Sequence, residues 1–468
     1  MRRFAILLCL ASALAGCHPR VPQAKALGQL DGEASVFVYL EPPSPESQRL
    51  TFTLAGVDAA GSAGDTPLQL ATPTIGFEPR QGQRLLAFGK IPAGSYDGVS
   101  VRVRRATVKR EEGTADLVVP EAPTRVTAPF SAEPGKAVVV WLTVRSVPPP
   151  PKAFELVPDF TASVPPHPIP ELLGLSAATG WDSLLELDMT RSRVVRILAT
   201  GRGPQGVALD RLGGRIYVAL SEQNEIEVFD LVSGEPVVPI RLNAGDAPRE
   251  VALSPDGQLL VAINAGSNTA SFIDARGGVE LGRVPVGVEP WSLLVDRSGV
   301  RAYVFNRRTN TITVLDLATR SIAATISTEA EPLRAALNRA GDRLYVAQAG
   351  TPYVTILKLP DLSLDRRVFV GFGTTDVLVD PRTDLLYVSK RDENRIDVYE
   401  PLQLLTFATI TVPDPVSYMV IDDPRNAIVA LMPERRGVAI VDLAGRRVTA
   451  TLDVGDAPYA LTLFQQRP

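Results

Sequence analysis

The first third of the chain contains short stretches in which apolar and polar residues alternate. Residues 35–40 and 99–103 each follow a period of two, which is typical of β-strands that bury one face. Residues 137–144 form a longer apolar run that indicates a central strand. No segment before residue 165 keeps a helical period. The pattern therefore predicts a β-sandwich of roughly seven to nine short strands over residues 31–163.

A second pattern repeats through residues 171–468. Each unit opens with a strand and a turn, continues with a strand that carries an aromatic or aliphatic residue and valine, and has a third strand that ends in an acid. The opening residues lie 41 to 44 positions apart and are Pro204, Pro248, Pro290, Pro332, Thr374, Pro415 and Pro458. Four strands in about 42 residues are typical of one blade of a β-propeller.

The two ends of this repeat predict seven blades. Six units are complete, and the seventh has only its first strand, residues 459–464. Residues 172–175, 183–188 and 194–198 have the pattern of the three strands that the seventh unit lacks. The predicted fold class is therefore all-β. It is an N-terminal β-sandwich followed by a seven-bladed β-propeller, closed by one C-terminal and three N-terminal strands so that no edge stays unpaired.

Two clusters of prolines precede the repeat, at residues 148–151 and 165–170. Such segments are extended and fairly stiff. The second cluster is the better domain boundary, because residues 154–160 have the pattern of one more strand. The predicted parts are a signal peptide at 1–16, a tether at 17–30, the sandwich at 31–163, a proline-rich linker at 164–170 and the propeller at 171–468.

The first residues have the layout of a bacterial export signal. Two arginines follow Met1, and residues 4–13 form an apolar run that is too short to span a bilayer. Residues 14–17 are Leu-Ala-Gly-Cys, which resembles the lipobox of bacterial lipoproteins. This resemblance implies that Cys17 is diacylated through its thiol and that the peptide is cut before it. An ordinary secretory signal with an incidental cysteine is the alternative.

Lipidation would place the protein in the cell envelope. Cys9 leaves with the signal, so Cys17 is the one cysteine of the mature chain and no disulfide can form. Two acyl chains give stable membrane anchoring. The residue that follows Cys17 is His18 and not an aspartate. By resemblance to sorting in Gram-negative bacteria, this implies the outer membrane, facing either the periplasm or the cell surface.

Two further motifs resemble known families. Residues 90–96, Lys-Ile-Pro-Ala-Gly-Ser-Tyr, form a turn that leads into a strand. This turn resembles prealbumin-like sandwich domains of unknown function in bacterial lipoproteins, over about residues 30–163. It implies a fold and no ligand. The plain alternative is that Tyr96 and Trp141 are core aromatic residues.

The second strand of the repeat carries a recurring tetrad. It is Tyr-Val-Ala-Leu from Tyr217, Tyr-Val-Phe-Asn from Tyr303, Tyr-Val-Ala-Gln from Tyr345 and Tyr-Val-Ser-Lys from Tyr387. With the third strand that ends in an acid, this tetrad resembles the bacterial and archaeal propellers named for a Tyr-Val-Thr-Asn (YVTN) repeat. The asparagine of that signature is kept at Asn306, and at Asn264 in a unit that lacks the tyrosine.

Composition excludes several kinds of chemistry. The formal net charge is −4, so we expect no nucleic-acid partner. The two histidines, His18 and His167, lie outside the repeat, which also has no cysteine. We therefore expect no His/Cys metal site, no covalently attached haem, no Ser-His-Asp relay and no cofactor.

Propellers bind ligands at the mouth of the central channel, where each innermost strand begins. The residues just after each opening position differ between blades, as asymmetric recognition or simple drift would produce. The candidate ligand-binding residues are Arg249, Glu250, Trp291, Arg334, Asp376 and Tyr459. The alternative is that the charged members pair with one another and the aromatic members pack between blades. Mixed charge in loops 306–310, 390–394 and 433–436 indicates either a protein-docking rim or a solvated face.

These observations predict a non-catalytic cell-envelope lipoprotein whose channel mouth binds a protein or an envelope polymer. The alternative is a small-ligand sensor or a hydrolase that uses the polar ring, with Glu250 and Asp376 as a paired acid and base. A third possibility is a structural role without a discrete ligand. No catalytic residue and no metal ligand is predicted, and the fold alone does not decide between these functions.

Overall fold

The computed structural model describes residues 32–42, 50–62, 64–76, 82–110, 113–145, 159–165 and 172–465. These ranges contain 38 strands and one short 3-10 helix, Thr179–Trp181. The predicted all-β fold class is confirmed. No helix within these ranges is long and apolar enough to cross a membrane. The predicted signal peptide, Cys17, the predicted tether up to residue 30 and most of the predicted proline-rich linker lie outside the described residues.

Ten strands precede the propeller. They are β1 Glu33–Leu40, β2 Leu50–Gly61, β3 Gly64–Leu70, β4 Thr74–Gly76, β5 Arg84–Pro92, β6 Gly94–Arg110, β7 Gly113–Leu117, β8 Thr124–Ala132, β9 Ala137–Arg145 and β10 Asp159–Ser163. They form one sheet in the order β10-β9-β1-β5-β3-β2-β6-β7, with β4 added to β2 and β8 added to β6. We call it the N-terminal sheet.

The N-terminal sheet is a single open sheet that curls over one core. β3 pairs with both β2 and β5, so the two halves expected to be separate layers are joined through it. Val36 and Leu142 from one half pack in the same apolar cluster as Val57 and Val101 from the other. The alternating pattern of the sequence therefore located the strands correctly, while the layer arrangement depends on the curvature of the sheet.

Tyr96 is a core residue, as expected. Its side chain is buried, its hydroxyl donates a hydrogen bond to the Pro92 carbonyl at 2.9 Å, and its ring stacks on Phe130 with centroids 5.2 Å apart. A buried tyrosine needs such a partner for its hydroxyl. The Pro-Ala-Gly-Ser-Tyr turn is therefore held at both ends, by the apolar ring and by the hydrogen bond.

The propeller begins with three strands, β11 Leu172–Ala178, β12 Ser183–Asp188 and β13 Arg193–Ala199. Blades 1 to 3 follow: β14 Pro204–Asp210, β15 Arg215–Leu220, β16 Glu225–Asp230 and β17 Ile240–Arg241; β18 Pro248–Leu253, β19 Leu259–Asn264, β20 Thr269–Asp274 and β21 Val279–Pro285; β22 Pro290–Val295, β23 Arg301–Asn306, β24 Thr311–Asp316 and β25 Ser321–Ser327.

Blades 4 to 6 continue the series: β26 Pro332–Leu337, β27 Arg343–Gln348, β28 Tyr353–Lys358 and β29 Leu364–Phe369; β30 Thr374–Val379, β31 Leu386–Lys390, β32 Arg395–Tyr399 and β33 Thr406–Thr411; β34 Tyr418–Asp422, β35 Ala427–Met432, β36 Gly437–Asp442 and β37 Arg447–Asp453. The last strand is β38 Pro458–Gln465.

Blade 7 is built from both ends of the repeat, as predicted. Its order is β13-β12-β11-β38, and β38 pairs antiparallel with β11 from Leu172↔Gln465 to Ala178↔Pro458. The seven innermost strands contact one another in a closed ring. The contacts run from β14 through β18, β22, β26, β30 and β34 to β38, and β38 contacts β14 again. The fold is therefore a seven-bladed β-propeller.

The acidic residue that ends the third strand closes a turn in blades 1, 2 and 7, whereas the third strand of blade 4 ends in Lys358. Asp188 accepts backbone hydrogen bonds from Thr190 and Arg191 at 2.8 and 3.0 Å. Asp230 and Asp274 accept the equivalent bonds in blades 1 and 2. A side chain that accepts amides two and three residues ahead stabilises a tight turn. The recurrence of this acid is thus explained by the turn that it stabilises.

A buried polar pair joins the second and third strands in four blades. The pairs and their donor–acceptor distances are Asn264–Ser271 (2.9 Å), Asn306–Thr313 (2.9 Å), Gln348–Thr355 (2.6 Å) and Lys390–Asp397 (2.9 Å). Buried polar atoms must be hydrogen-bonded to avoid a large desolvation penalty. The last position of the tetrad therefore changes together with its partner.

Blade 1 breaks this pattern. Leu220 occupies the position of the asparagine, and Glu227, which pairs with Val218, occupies the position of the polar partner on the third strand with 3% of its surface exposed. Among the described residues, the hydrogen bond to this carboxylate comes from the Gly201 amide at 3.0 Å. Burial raises the pKa of Glu227 to about 7, and the nearby charge of Glu225 raises it further against the effect of that amide.

The N-terminal sheet covers the outer edge of blade 7. Side chains complete the hydrogen bonding of Val194 in the edge strand β13: its amide donates to Gln83 Oε1 at 2.7 Å, and its carbonyl accepts from Trp141 Nε1 at 2.8 Å. Glu41 accepts from Gln83 at 2.6 Å and pairs with Arg193 at 2.9 Å. Trp141 therefore packs as an aromatic residue against the apolar cluster that the N-terminal sheet shares with the propeller.

Apolar residues continue the same contact. Phe37 and Phe88 of the N-terminal sheet pack against Trp181, with ring centroids 5.1 and 5.5 Å apart. Tyr39 and Leu85 share a buried cluster with residues of blades 6 and 7. The sheet and the propeller thus have a common apolar core across their boundary, together with the bridging polar groups around Val194.

Candidate functional site

The mouth of the channel is shaped by a bulge at the start of the innermost strands. In blades 2 to 5, the opening residue pairs with the second strand, the next residue has no partner, and pairing resumes after it. Bulges of this kind redirect side chains and occur next to binding sites. They place successive residues such as Arg249 and Glu250 at the mouth. We define the mouth cluster as Arg249, Glu250, Trp291, Arg334, Asp376, Tyr418 and Tyr459.

Arg334 is the centre of the first part of this cluster. Its Nη1 lies 3.1 Å from Oε1 of Glu250, two blades away, and its guanidinium lies 4.2 Å from the centre of the Tyr418 ring. Burial alone would lower the pKa of Arg334, but the charge of Glu250 and its other acidic neighbours raises it well above the usual range. Arg334 is therefore a permanently charged, paired cation.

Both carboxylates of the mouth cluster are bound by backbone amides. Glu250 Oε2 accepts from Leu293 at 2.7 Å. Asp376 accepts from Val377 at 2.9 Å and from Met419 of the next blade at 2.7 Å. Burial raises the pKa of Asp376 to about 7, although Arg334 and these amides oppose the shift. The two acids therefore connect neighbouring blades.

Arg249 is the centre of the second part. Its guanidinium lies 3.6 Å from the centre of the Trp291 ring and 5.4 Å from that of Tyr459. Arg307 also lies over Trp291, at 4.9 Å. Cation–π contacts of this kind are attractive, and most so on tryptophan. Trp291 is half-buried, so its ring is held by two guanidinium groups at the mouth.

The rim around Trp291 carries paired charges. Arg307, on the loop between the second and third strands of blade 3, pairs with Glu331 at 2.8 Å and with Glu289 at 3.4 Å. These groups are partly exposed. The predicted loop 390–394 behaves differently, because Lys390 is buried and pairs with Asp397 at 2.9 Å. Lys390 therefore stabilises the interior of blade 5 and does not face a docking partner.

The structure brings together most of the residues predicted from sequence. Arg249 contacts Trp291 and Tyr459, and Glu250 contacts Arg334, so charge pairing and aromatic packing both occur. Tyr418 is a member that sequence reasoning missed. It pairs with Leu431 as Glu250 pairs with Ile263. The predicted opening residue of blade 6, Pro415, was therefore out of register by one residue.

The described residues hold no group of three or more histidine, cysteine, aspartate or glutamate side chains arranged to bind a metal ion. The two histidines, His18 and His167, lie outside those residues.

No family model and no curated protein matches this chain. Among solved structures, a functionally unknown protein from Desulfotomaculum acetoxidans DSM 771 is 12% identical, with a TM-score of 0.56, and the match covers 63% of this chain and 99% of that chain. Dihydro-heme d1 dehydrogenase NirN in complex with DHE is 13% identical, with a TM-score of 0.50, and the match covers 64% and 76%. At such identities the likeness is one of fold.

Proposed function

We propose that this chain is a lipid-anchored binding or scaffold protein of the bacterial cell envelope, with no catalytic activity, whose mouth cluster docks a partner protein or an envelope polymer. The proposal includes a diacylated Cys17, a YVTN-type propeller and a prealbumin-like N-terminal domain. A propeller fold by itself is consistent with a binding or scaffold role.

One observation carries the docking proposal. Arg249, Trp291 and Tyr459 meet at the mouth and are only partly covered by their own chain. Arginine, tryptophan and tyrosine are the residues that dominate binding energy at protein interfaces, usually in the centre of a polar rim. The ion pairs of Arg307 with Glu289 and Glu331 supply such a rim.

The hydrolase alternative has less support. General acid–base chemistry needs carboxyl oxygens that can reach a substrate. The two oxygens of Glu250 are taken by Arg334 and by the Leu293 amide, and those of Asp376 by two amides. These contacts favour a structural role for both acids, and hence binding over catalysis.

Trp291→Ala is expected to abolish docking while leaving the fold intact, because it removes the ring that holds Arg249 and Arg307. The measurement is crosslinked capture from solubilised envelopes, with the full chain as bait. Leu402→Ala is the matched control, since Leu402 is 79% exposed on a loop at the opposite end of blade 5. A prey captured equally by the wild type and both variants, or by none of them, would contradict docking at the mouth.

Cys17→Ala is expected to release the protein from the membrane fraction, because the diacylated thiol is the proposed anchor. The variant should fold normally, as judged by its circular dichroism spectrum. Fractionation of cells that express the wild type and the variant measures the effect. A Cys17→Ala protein that stays with the membranes would show that the lipid anchor is wrong.

A further inference from the structure

We propose that the mouth cluster binds an acidic peptide segment of a partner protein, and that Arg249 holds one carboxylate of that segment. This inference rests on the proposed function and specifies the chemistry of the ligand. The supporting observation is that the other arginines of the mouth have carboxylate partners, whereas Arg249 has none among the described residues.

Arg249 differs from the other arginines of the mouth. Arg334 and Arg307 have carboxylate partners at 3.1 and 2.8 Å. Within the described part of the chain, no carboxylate lies within 4 Å of the Arg249 guanidinium, and its buried Nε has no hydrogen-bond acceptor. An unpaired, partly desolvated cation is costly, and a ligand carboxylate would offset that cost.

A second polar atom beside Arg249 also lacks a partner. The hydroxyl oxygen of Tyr459 is buried and has no partner with hydrogen-bond geometry, while the Tyr459 ring lies 5.4 Å from the guanidinium. Burial raises the pKa of Tyr459, and the nearby Arg249 guanidinium opposes that rise. Tyr459 belongs to blade 7 and Arg249 to blade 2. Blade 1 contributes Gly206, which packs so closely against blade 2 that a Cβ there would lie 2.5 Å from the Cα of Glu250. A carboxylate can accept from both the guanidinium and the hydroxyl.

The charges of the mouth residues favour a ligand group with one negative charge over a ligand group with two. Arg249 is a single unpaired cation, and the carboxylates of Glu250 and Asp376 are its neighbours in the ring. Glu250 is adjacent in sequence to Arg249, so a dianion would meet more repulsion than a monoanion does. This balance favours a carboxylate over a phosphate group.

The state of Trp291 favours a peptide over a polysaccharide. Two guanidinium groups lie over its ring at 3.6 and 4.9 Å. These two cations occupy part of the ring surface on which a sugar would stack, and the rest of the half-buried ring is open to a partner. A rim of alternating charge with an arginine and two aromatic residues inside it resembles the centre of a protein interface.

The test is fluorescence anisotropy with the purified full chain and labelled, capped peptides of the sequence Gly-Ser-Glu-Ser-Gly and Gly-Ser-Gln-Ser-Gly, so that the glutamate peptide carries one negative charge. Unlabelled polygalacturonate and inorganic phosphate serve as competitors. Arg249→Gln should weaken binding of the glutamate peptide by about tenfold or more, since a charge-assisted hydrogen bond is lost. Tyr459→Phe should weaken it by a smaller factor and keeps the ring in place.

Arg276→Gln is the matched control. It removes the same charge from the same blade, but Arg276 is exposed on the loop after β20, at the end of the blade away from the mouth. Binding of the glutamate peptide that is lost in Arg249→Gln and kept in Arg276→Gln supports the proposal. Failure of the wild type to bind it, equal loss in both variants, or stronger competition by polygalacturonate or phosphate overturns it.

The same peptide separates this inference from the proposed function. If prey capture depends on Trp291 and the glutamate peptide competes with the prey, the docking function and the acidic ligand are both supported. If capture depends on Trp291 and persists in excess glutamate peptide, docking at the mouth stands and the acidic ligand is wrong. If capture does not depend on Trp291 and the peptide does not bind, both are wrong.

Discussion

Deletion of residues 455–468 is expected to lower the melting temperature by about 10 °C or more, the largest effect that we anticipate for a small change in this chain. The deletion removes β38, which is the innermost strand of blade 7 and pairs with β11 along its whole length. It also removes Leu461 and Leu463, which are 2% and 7% exposed. Truncation of one such buried leucine to alanine typically costs about 2–5 kcal/mol of stability.

The loss of pairing adds to the loss of burial. Without β38, the inner edge of β11 faces the channel with unpaired amides and carbonyls, and the ring contacts of β38 with β14 and β34 disappear. Differential scanning calorimetry measures the shift. Deletion of residues 466–468 alone is the control, because β38 remains. A melting temperature that is the same for both deletions would show that β38 does not close the ring.

Glu227→Gln is expected to stabilise the protein by about 3 kcal/mol above pH 7, and by almost nothing below pH 4. The pKa of Glu227 is raised from 4.5 to about 7 in the folded chain. The folded state therefore binds this proton more tightly than the unfolded state does. The stability that the protonated acid contributes is complete below about pH 4.5 and is lost as the pH rises through 7.

Glutamine removes this dependence because it is neutral at every pH and can still accept the Gly201 amide. Urea unfolding of the wild type and the variant at pH 4.5 and pH 8 measures the difference. Glu222→Gln is the matched control, since Glu222 is exposed on the loop before the same strand. An equal gain at both pH values would contradict the ionisation of a buried Glu227, as would an equal gain in the control.

The repeating part of the fold was predictable from sequence for a physical reason. Each blade is a four-stranded sheet with the same turns and the same buried faces. Its turn acids, tyrosines and alternating strands therefore recur at nearly fixed spacing. The shared blade could be inferred because the missing strands had to come from the other end of the repeat. The polar pairs explain why the tetrad varies at its last position, as with Lys390 and Asp397.

What sequence could not supply were relations that do not repeat. Tyr418 was missed because an irregular loop shifts the register of blade 6 relative to Pro415. The contact of Trp141 with Val194 joins two parts of the chain whose patterns are independent of each other. Whether Arg249 had a carboxylate partner was also not predictable, since the pairing of Glu250 with Arg334 depends on distances across the ring.

The shared blade also determines when the protein can fold. β11 is made early, but its inner neighbour β38 is nearly 300 residues further along the chain. The ring can therefore close only after Pro458–Gln465 has been synthesised, and such distant pairing is slow. Until then, β11 presents an open edge. This late closure makes the finished propeller one of the last features of the chain to form.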